Sequence, residues 1–128
     1  MRSVLSLVLL SVILLAGCAG TGGDGVHRDR YHITLEEIVK LPHADTAWDI
    51  VRLLRPALLE RDRRRHVGMS QGMTALVYLN DMRYGIKDNL YNIPAMDVLE
   101  IKYIDGFDAN SRYGPDAAGG IFFVTTKR

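Results

Sequence analysis

Gly68-Met69-Ser70-Gln71-Gly72 fits the G-x-S-x-G spacing of a nucleophile elbow, in which a sharp turn exposes a serine for acyl transfer. The flanks do not suit that chemistry. An elbow follows a strand and opens a helix, whereas here a charged helix end precedes it and a strand follows. In that fold the triad runs serine, acid, histidine. His27, His32, His43 and His66 all precede Ser70. A small serine esterase using Ser70 is therefore the minor alternative, and a Gly/Ser/Gln loop is the simpler expectation. Gly114 to Gly119 has the outer spacing of a phosphate loop, but Gly120 and Ile121 stand where Lys and Ser or Thr belong. The histidines lack the close spacing of metal ligands, so neither a metal site nor a cofactor is expected.

Arg61-Asp62-Arg63-Arg64-Arg65-His66 is the most uneven charge feature. Arg61, Arg63, Arg64 and Arg65 would suit an anionic partner, either lipid headgroups or an acidic protein face. A solvated helix end, where cations complement the dipole, is the simpler expectation. Over the whole chain the charge is close to balanced. Lys and Arg number 16, Asp and Glu 15. A neutral chain has no electrostatic footprint for general nucleic-acid binding, and no small-molecule ligand is indicated.

Cys18 is the only cysteine, which excludes an intramolecular disulfide. It closes a segment with Arg2, an apolar run over 4–15 broken only by Ser6 and Ser11, and then small residues. That is the layout of a secretory signal, and it falls short of the roughly 17–25 apolar residues that span a bilayer. Leu15-Ala16-Gly17-Cys18 resembles the bacterial lipobox, in which the cysteine thiol receives diacylglycerol and the amine is acylated after cleavage. Ala19, where Asp would retain the protein, implies release to the outer membrane, facing the periplasm. More than one acyl chain makes such anchoring stable. The expected layout is a signal peptide over 1–17, a Gly-rich tether over 18–30 and one folded domain over 31–128. The tether should behave as a coil spanning about 20 Å. The remaining 98 residues suffice for one small domain.

That domain reads as short helices followed by strands. The 31–33 stretch can form a short strand. Thr34 and Glu37 have capping-box spacing ahead of a helix over 35–40. Asp45 or Thr46 caps a second helix, with Ala47, Ile50, Val51, Leu54, Ala57 and Leu58 on its apolar stripe. Pro56 must kink that helix or start a new turn. Strands follow over 75–79 and 82–84 around an Asn80-Asp81 turn. A helical turn over 88–91, a strand over 98–104, a polar helix or turn over 108–113 and a final strand over 121–126 complete the chain. Val98, Ile101 and Tyr103 compete for the core side of the long strand. The five tyrosines from Tyr78 to Tyr113 should mostly pack in the sheet. The fold class is α+β, with about four strands in one sheet and two or three short helices.

Several segments resemble, in order, the plug domain of TonB-dependent outer-membrane receptors. They are Ile33-Thr34-Leu35-Glu36-Glu37-Ile38, Val77-Tyr78-Leu79-Asn80-Asp81-Met82-Arg83 and Ile93-Pro94-Ala95-Met96-Asp97-Val98-Leu99-Glu100-Ile101, then Tyr113-Gly114, Ala118-Gly119-Gly120-Ile121 and Val124-Thr125-Thr126-Lys127. The resemblance implies a fold-building motif and no catalytic residue. In a receptor a large barrel follows the plug, whereas this chain ends one residue after Lys127. It is therefore expected to be a stand-alone, lipid-anchored, plug-like interaction or structural module and not itself a transporter. The implied partner is the membrane, through Cys18, and the alternative reading is an accessory subunit that docks on a separate outer-membrane receptor barrel or envelope complex. Gly120 is expected where the backbone turns or approaches a neighbour closely.

Overall fold

Thr46 and Asp49 set the first long helix in place. The Asp49 N–H donates to Thr46 Oγ1 at 3.3 Å, and the Thr46 N–H and Oγ1 donate to Asp49 Oδ2 at 3.2 and 2.9 Å. This reciprocal cap satisfies donors that a helix start leaves open. A similar pair, Thr34 and Glu37, opens a single turn, where the Thr34 N–H donates to Glu37 Oε2 at 3.4 Å. In this computed structural model, which describes residues 29–61 and 74–127, these are helices α2 (Ala47–Leu54) and α1 (Leu35–Ile38). The apolar stripe runs past α2 into α3 (Pro56–Leu59), with a break at Arg55, whose φ of −142° and ψ of 60° are not helical. Proline disfavours helical geometry in the residue before it and suits the first position of a helix, so Arg55-Pro56 ends one helix and starts the next. The break re-aims the stripe. Ala47, Ile50, Val51 and Leu58 are buried as the spacing predicts, but Ala57 is exposed and Leu59 is buried in its place.

Five strands form one mixed sheet: β1 (His32–Ile33), β2 (Leu76–Leu79), β3 (Met82–Ile86), β4 (Val98–Ile104) and β5 (Ile121–Thr126). Their spatial order is β1-β4-β5-β2-β3. β2 and β5 run parallel, and the other three pairings are antiparallel. The domain is thus α+β, and the fifth strand is the two-residue β1 at the sheet's edge. Asn80 and Asp81 both have positive φ, at 47° and 66°, the tight turn whose twist matches a hairpin.

β4 resolves the competition among its apolar residues with a bulge. The pairing with β5 slips between Val98 and Glu100. The extra residue puts Val98 on the same face as Ile101 and Tyr103, and all three are buried. That face, with Val77, Phe122 and Val124, packs under α2 and α3. The other face is covered only in part. Helix α4 (Gly106–Tyr113) and the 3₁₀ turn Pro115–Ala117 bury Leu76 and Ile121 against Ala109 and Ala117. Tyr78, Tyr113 and Phe123 form an aromatic cluster beside this patch, with centroids 5.2 to 6.0 Å apart. Tyr91 does not join the sheet. It stacks on Trp48 at 4.4 Å, because the 3₁₀ segment Lys87–Asn92 lies against α2. Among the described residues no helix is long and apolar enough to cross a membrane.

Candidate interaction surface

The described chain starts at Asp29, and two arginines hold that start to the domain. Arg55 can face inward because its backbone has left the helix. Its side chain is 11% exposed and that of Glu37 10%. Nε and Nη2 both donate to the Asp29 carbonyl at 3.1 Å, and Nη2 also reaches Glu37 Oε1 and Oε2 at 2.9 and 3.1 Å. Nη1 donates to the Leu54 carbonyl at 3.0 Å, which the break leaves without a helical partner nearby. A guanidinium has five N–H donors in a fixed plane, and this one spreads them over the 29–32 segment, α1 and the end of α2.

Arg61 forms the second hold. Nη1 donates to Asp105 Oδ2 at 3.1 Å and Nη2 to the Tyr31 hydroxyl at 3.2 Å. Its guanidinium carbon lies 5.0 Å from the Tyr31 ring centroid and 6.0 Å from that of Tyr103, and the two rings stack at 6.2 Å. Such stacking adds a cation–aromatic attraction to the ion pair. Of the four arginines singled out in the sequence, Arg61 is therefore turned toward an internal carboxylate. Arg63, Arg64 and Arg65 lie outside the described residues, as do Cys18 and Ser70.

Beside this corner, where β4 passes into α4, there is a cavity of about 390 Å³. Asp105 shapes its floor as the α4 N-cap, with Oδ1 accepting from the Phe107 N–H at 2.9 Å. The walls include the Tyr31 and Tyr103 rings and Phe107, and the charged groups facing it are Asp105, Asp108 and Arg112. Phe107 is 78% exposed. The sequence reading starts this helix at 108. The cap at Asp105, an Asp directly before Gly-Phe, is the signal that would have moved the start to Gly106 and brought Phe107 into view. A smaller groove of about 210 Å³ lies between Leu35, Val39 and Met96, with Lys127 at its rim.

Two further polar groups stand apart from that corner. Lys87 is buried, 8% exposed, and its Nζ donates to the Leu59 carbonyl at 3.2 Å, at the C-terminal end of α3 where a cation is favoured. On the open sheet face, His32 Nε2 meets Glu100 Oε2 at 2.9 Å and Lys102 Nζ donates to Glu100 Oε1 at 3.1 Å. Burial pushes the Glu100 carboxyl up, but the hydrogen bonds from His32 and Lys102 outweigh it and hold the group below its ordinary value. The Thr46 hydroxyl does the same for Asp49. Among the described residues no three His, Cys, Asp or Glu side chains gather as a metal site.

Both carboxylates bear on acid stability. A depressed folded pKa contributes stability above the unfolded value and loses it as pH falls through the folded value. The protein should therefore lose stability progressively below about pH 4. Thr46→Ala should lower stability by about 1 kcal/mol at neutral pH and make the acid-side decline shallower, since it frees Asp49. Urea midpoints measured from neutral pH to about pH 2 test this. An acid-side decline as steep in Thr46→Ala as in the parent would rule out the cap as its source.

Together these features define an α+β domain with a mixed five-stranded sheet and a concave corner at the start of its described chain. Comparison with protein-family models, curated proteins and solved structures finds no match.

Proposed function

We propose that this protein is a lipid-anchored, plug-like interaction module of the bacterial outer membrane, facing the periplasm and without enzymatic activity. Its partner on this reading is a separate outer-membrane receptor barrel or envelope complex. The observation that carries the anchoring is Leu15-Ala16-Gly17-Cys18 at the end of an apolar run. Support for the plug-like part comes from the closing segment, Gly119-Gly120 leading into β5 between β4 and β2, with Gly120 at a φ of +95°.

Cys18→Ala is the direct test. Metabolic labelling with a radioactive fatty acid should mark the parent protein, which should co-fractionate with outer membranes. The variant should be unlabelled and either unprocessed or soluble. Labelling that survives in Cys18→Ala, or a parent protein that fractionates with the inner membrane, would overturn the assignment. Crosslinking in intact envelopes then addresses the partner, with an outer-membrane barrel protein as the expected adduct.

A further inference from the structure

The cavity beside Tyr31 brings together groups that the fold itself does not use. Asp108 and Arg112 are four residues apart on α4, which puts them on one face of the helix. Both line the cavity, yet among the described residues neither is engaged in an ion pair or side-chain hydrogen bond. Asp105 is different, since Arg61 and the Phe107 N–H already take its two oxygens. Phe107 adds nothing to the core, where α4 contributes Gly106 and Ala109, and instead stands 78% exposed beside the charges.

One uncommitted anion and one uncommitted cation in an aromatic-walled cavity suit a ligand that carries both charges. We infer that the cavity seats the headgroup of a zwitterionic phospholipid, its ammonium against Asp108 and its phosphate against Arg112, with Phe107 entering the bilayer interface. The choice of a lipid rests on the lipid-anchor reading and on where the chain goes. Tyr31 lines the cavity, and Asp29, two residues before it, lies eleven positions from Cys18. A chain spans at most about 3.6 Å per residue, so an acyl anchor at Cys18 keeps Asp29 within about 40 Å of the membrane whatever the path between them. Aromatic side chains are favoured at headgroup depth. Among the described residues Arg61, beside the cavity, is paired with Asp105, so the cavity lining offers one cation, Arg112, and no basic cluster of the kind an anionic surface would select. A balanced pair of charges selects a balanced headgroup.

The test uses the full chain with Cys18→Ser, which removes the acyl site and leaves no other cysteine. An environment-sensitive fluorophore is attached through Asn110→Cys, an exposed position one turn from Phe107 on α4 that leaves the cavity lining intact, or, as a control at the far edge strand β3, through Met82→Cys, a position 74% exposed. Residues 1–17 are present in every version and contribute equally to adhesion. Vesicles of phosphatidylethanolamine and phosphatidylcholine should shift the emission at position 110 and leave position 82 unchanged. Asp108→Lys and Arg112→Glu, both at exposed positions, should each raise the lipid concentration for half the shift by about tenfold, the effect of losing one charge-assisted contact. Pure phosphatidylglycerol vesicles should be weaker by a similar factor. Equal shifts at both positions, no shift at 110, phosphatidylglycerol as effective as the zwitterionic mixture, or silence of both charge variants would each overturn the proposal. So would a shift at 110 that only envelope protein, and not lipid, produces. Because the acyl site is absent here, these outcomes are independent of whether Cys18 is labelled in cells.

Discussion

Gly120→Val should destabilise the protein by on the order of 4 kcal/mol, combining the ranges for backbone strain and for overpacking. Two effects act at this one position. Gly120 has a φ of +95°, where a β-branched residue is strained. Independently, a Cβ there would overlap the Tyr103 hydroxyl and lie 2.6 Å from Tyr103 Cζ. Tyr103 cannot easily withdraw, because its ring packs on Phe122 at 4.7 Å and is 5% exposed. Gly114 separates the two effects. Its φ is +91°, but nothing lies within 4 Å of a Cβ added there. Gly114→Ala therefore reports strain alone, and Gly120→Ala reports strain plus overlap. The second should lower the melting temperature clearly more than the first. Tyr103→Phe removes the nearest atom, so it should recover part of the loss in Gly120→Ala, while the ring still has to shift. Equal melting temperatures for the two alanine variants would show that the close approach to Tyr103 has no energetic weight.

The same glycine marks how far the sequence can be read. Two adjacent glycines ahead of an apolar run point to a special backbone position, and residue 120 is one, but no local pattern names Tyr103 as the side chain that fills the space. The helix starts at Thr34 and Thr46 were legible because capping is local chemistry, repeated at fixed spacing. Asp105 caps α4 through a single bond to the Phe107 N–H, with no reciprocal partner at fixed spacing, and the polar residues after it give no apolar period to mark a helix start. The core side of β4 was ambiguous for a definite reason. Val98 and Ile101 are an odd number of residues apart, so regular alternation cannot bury both, and only the pairing with β5 shows the bulge that does. The long-range charged pairs were not legible at all. Arg55 meets Glu37 across 18 residues, Arg61 meets Asp105 across 44, and His32 meets Glu100 across 68. No periodicity connects such partners. The Arg61 to Arg65 run read as one feature because its members are neighbours in sequence, while the fold pairs Arg61 with the start of α4.

Arg55→Ala should have the other large effect, a loss of about 3–5 kcal/mol, the range for removing one partner of a buried ion pair. The Glu37 carboxylate, 10% exposed, would stay in place without the guanidinium, and the Asp29 and Leu54 carbonyls would each lose a donor. Arg55→Lys should rescue little. A single ammonium cannot match a planar fork that reaches Asp29, Glu37 and Leu54 at once. Replacing both partners, with Arg55→Met and Glu37→Leu, should restore most of the global stability, because two apolar groups leave no buried charge. The double variant should still differ from the parent locally, because the Arg55 hydrogen bonds that link the Asp29 carbonyl to Glu37 of α1 and to the end of α2 are gone. The Tyr103 N–H donates to the Tyr31 carbonyl at 2.8 Å and the Leu76 N–H to the Gly120 carbonyl at 2.9 Å, so their amide exchange reports the edge and the centre of the sheet respectively. In the double variant exchange should quicken at Tyr103 and stay slow at Leu76. If Tyr103 stays as protected as Leu76, β1 holds to β4 without the arginine and Arg55 acts only as half of a buried pair. If Arg55→Lys matches the parent in its unfolding midpoint, the fork geometry carries no stability of its own.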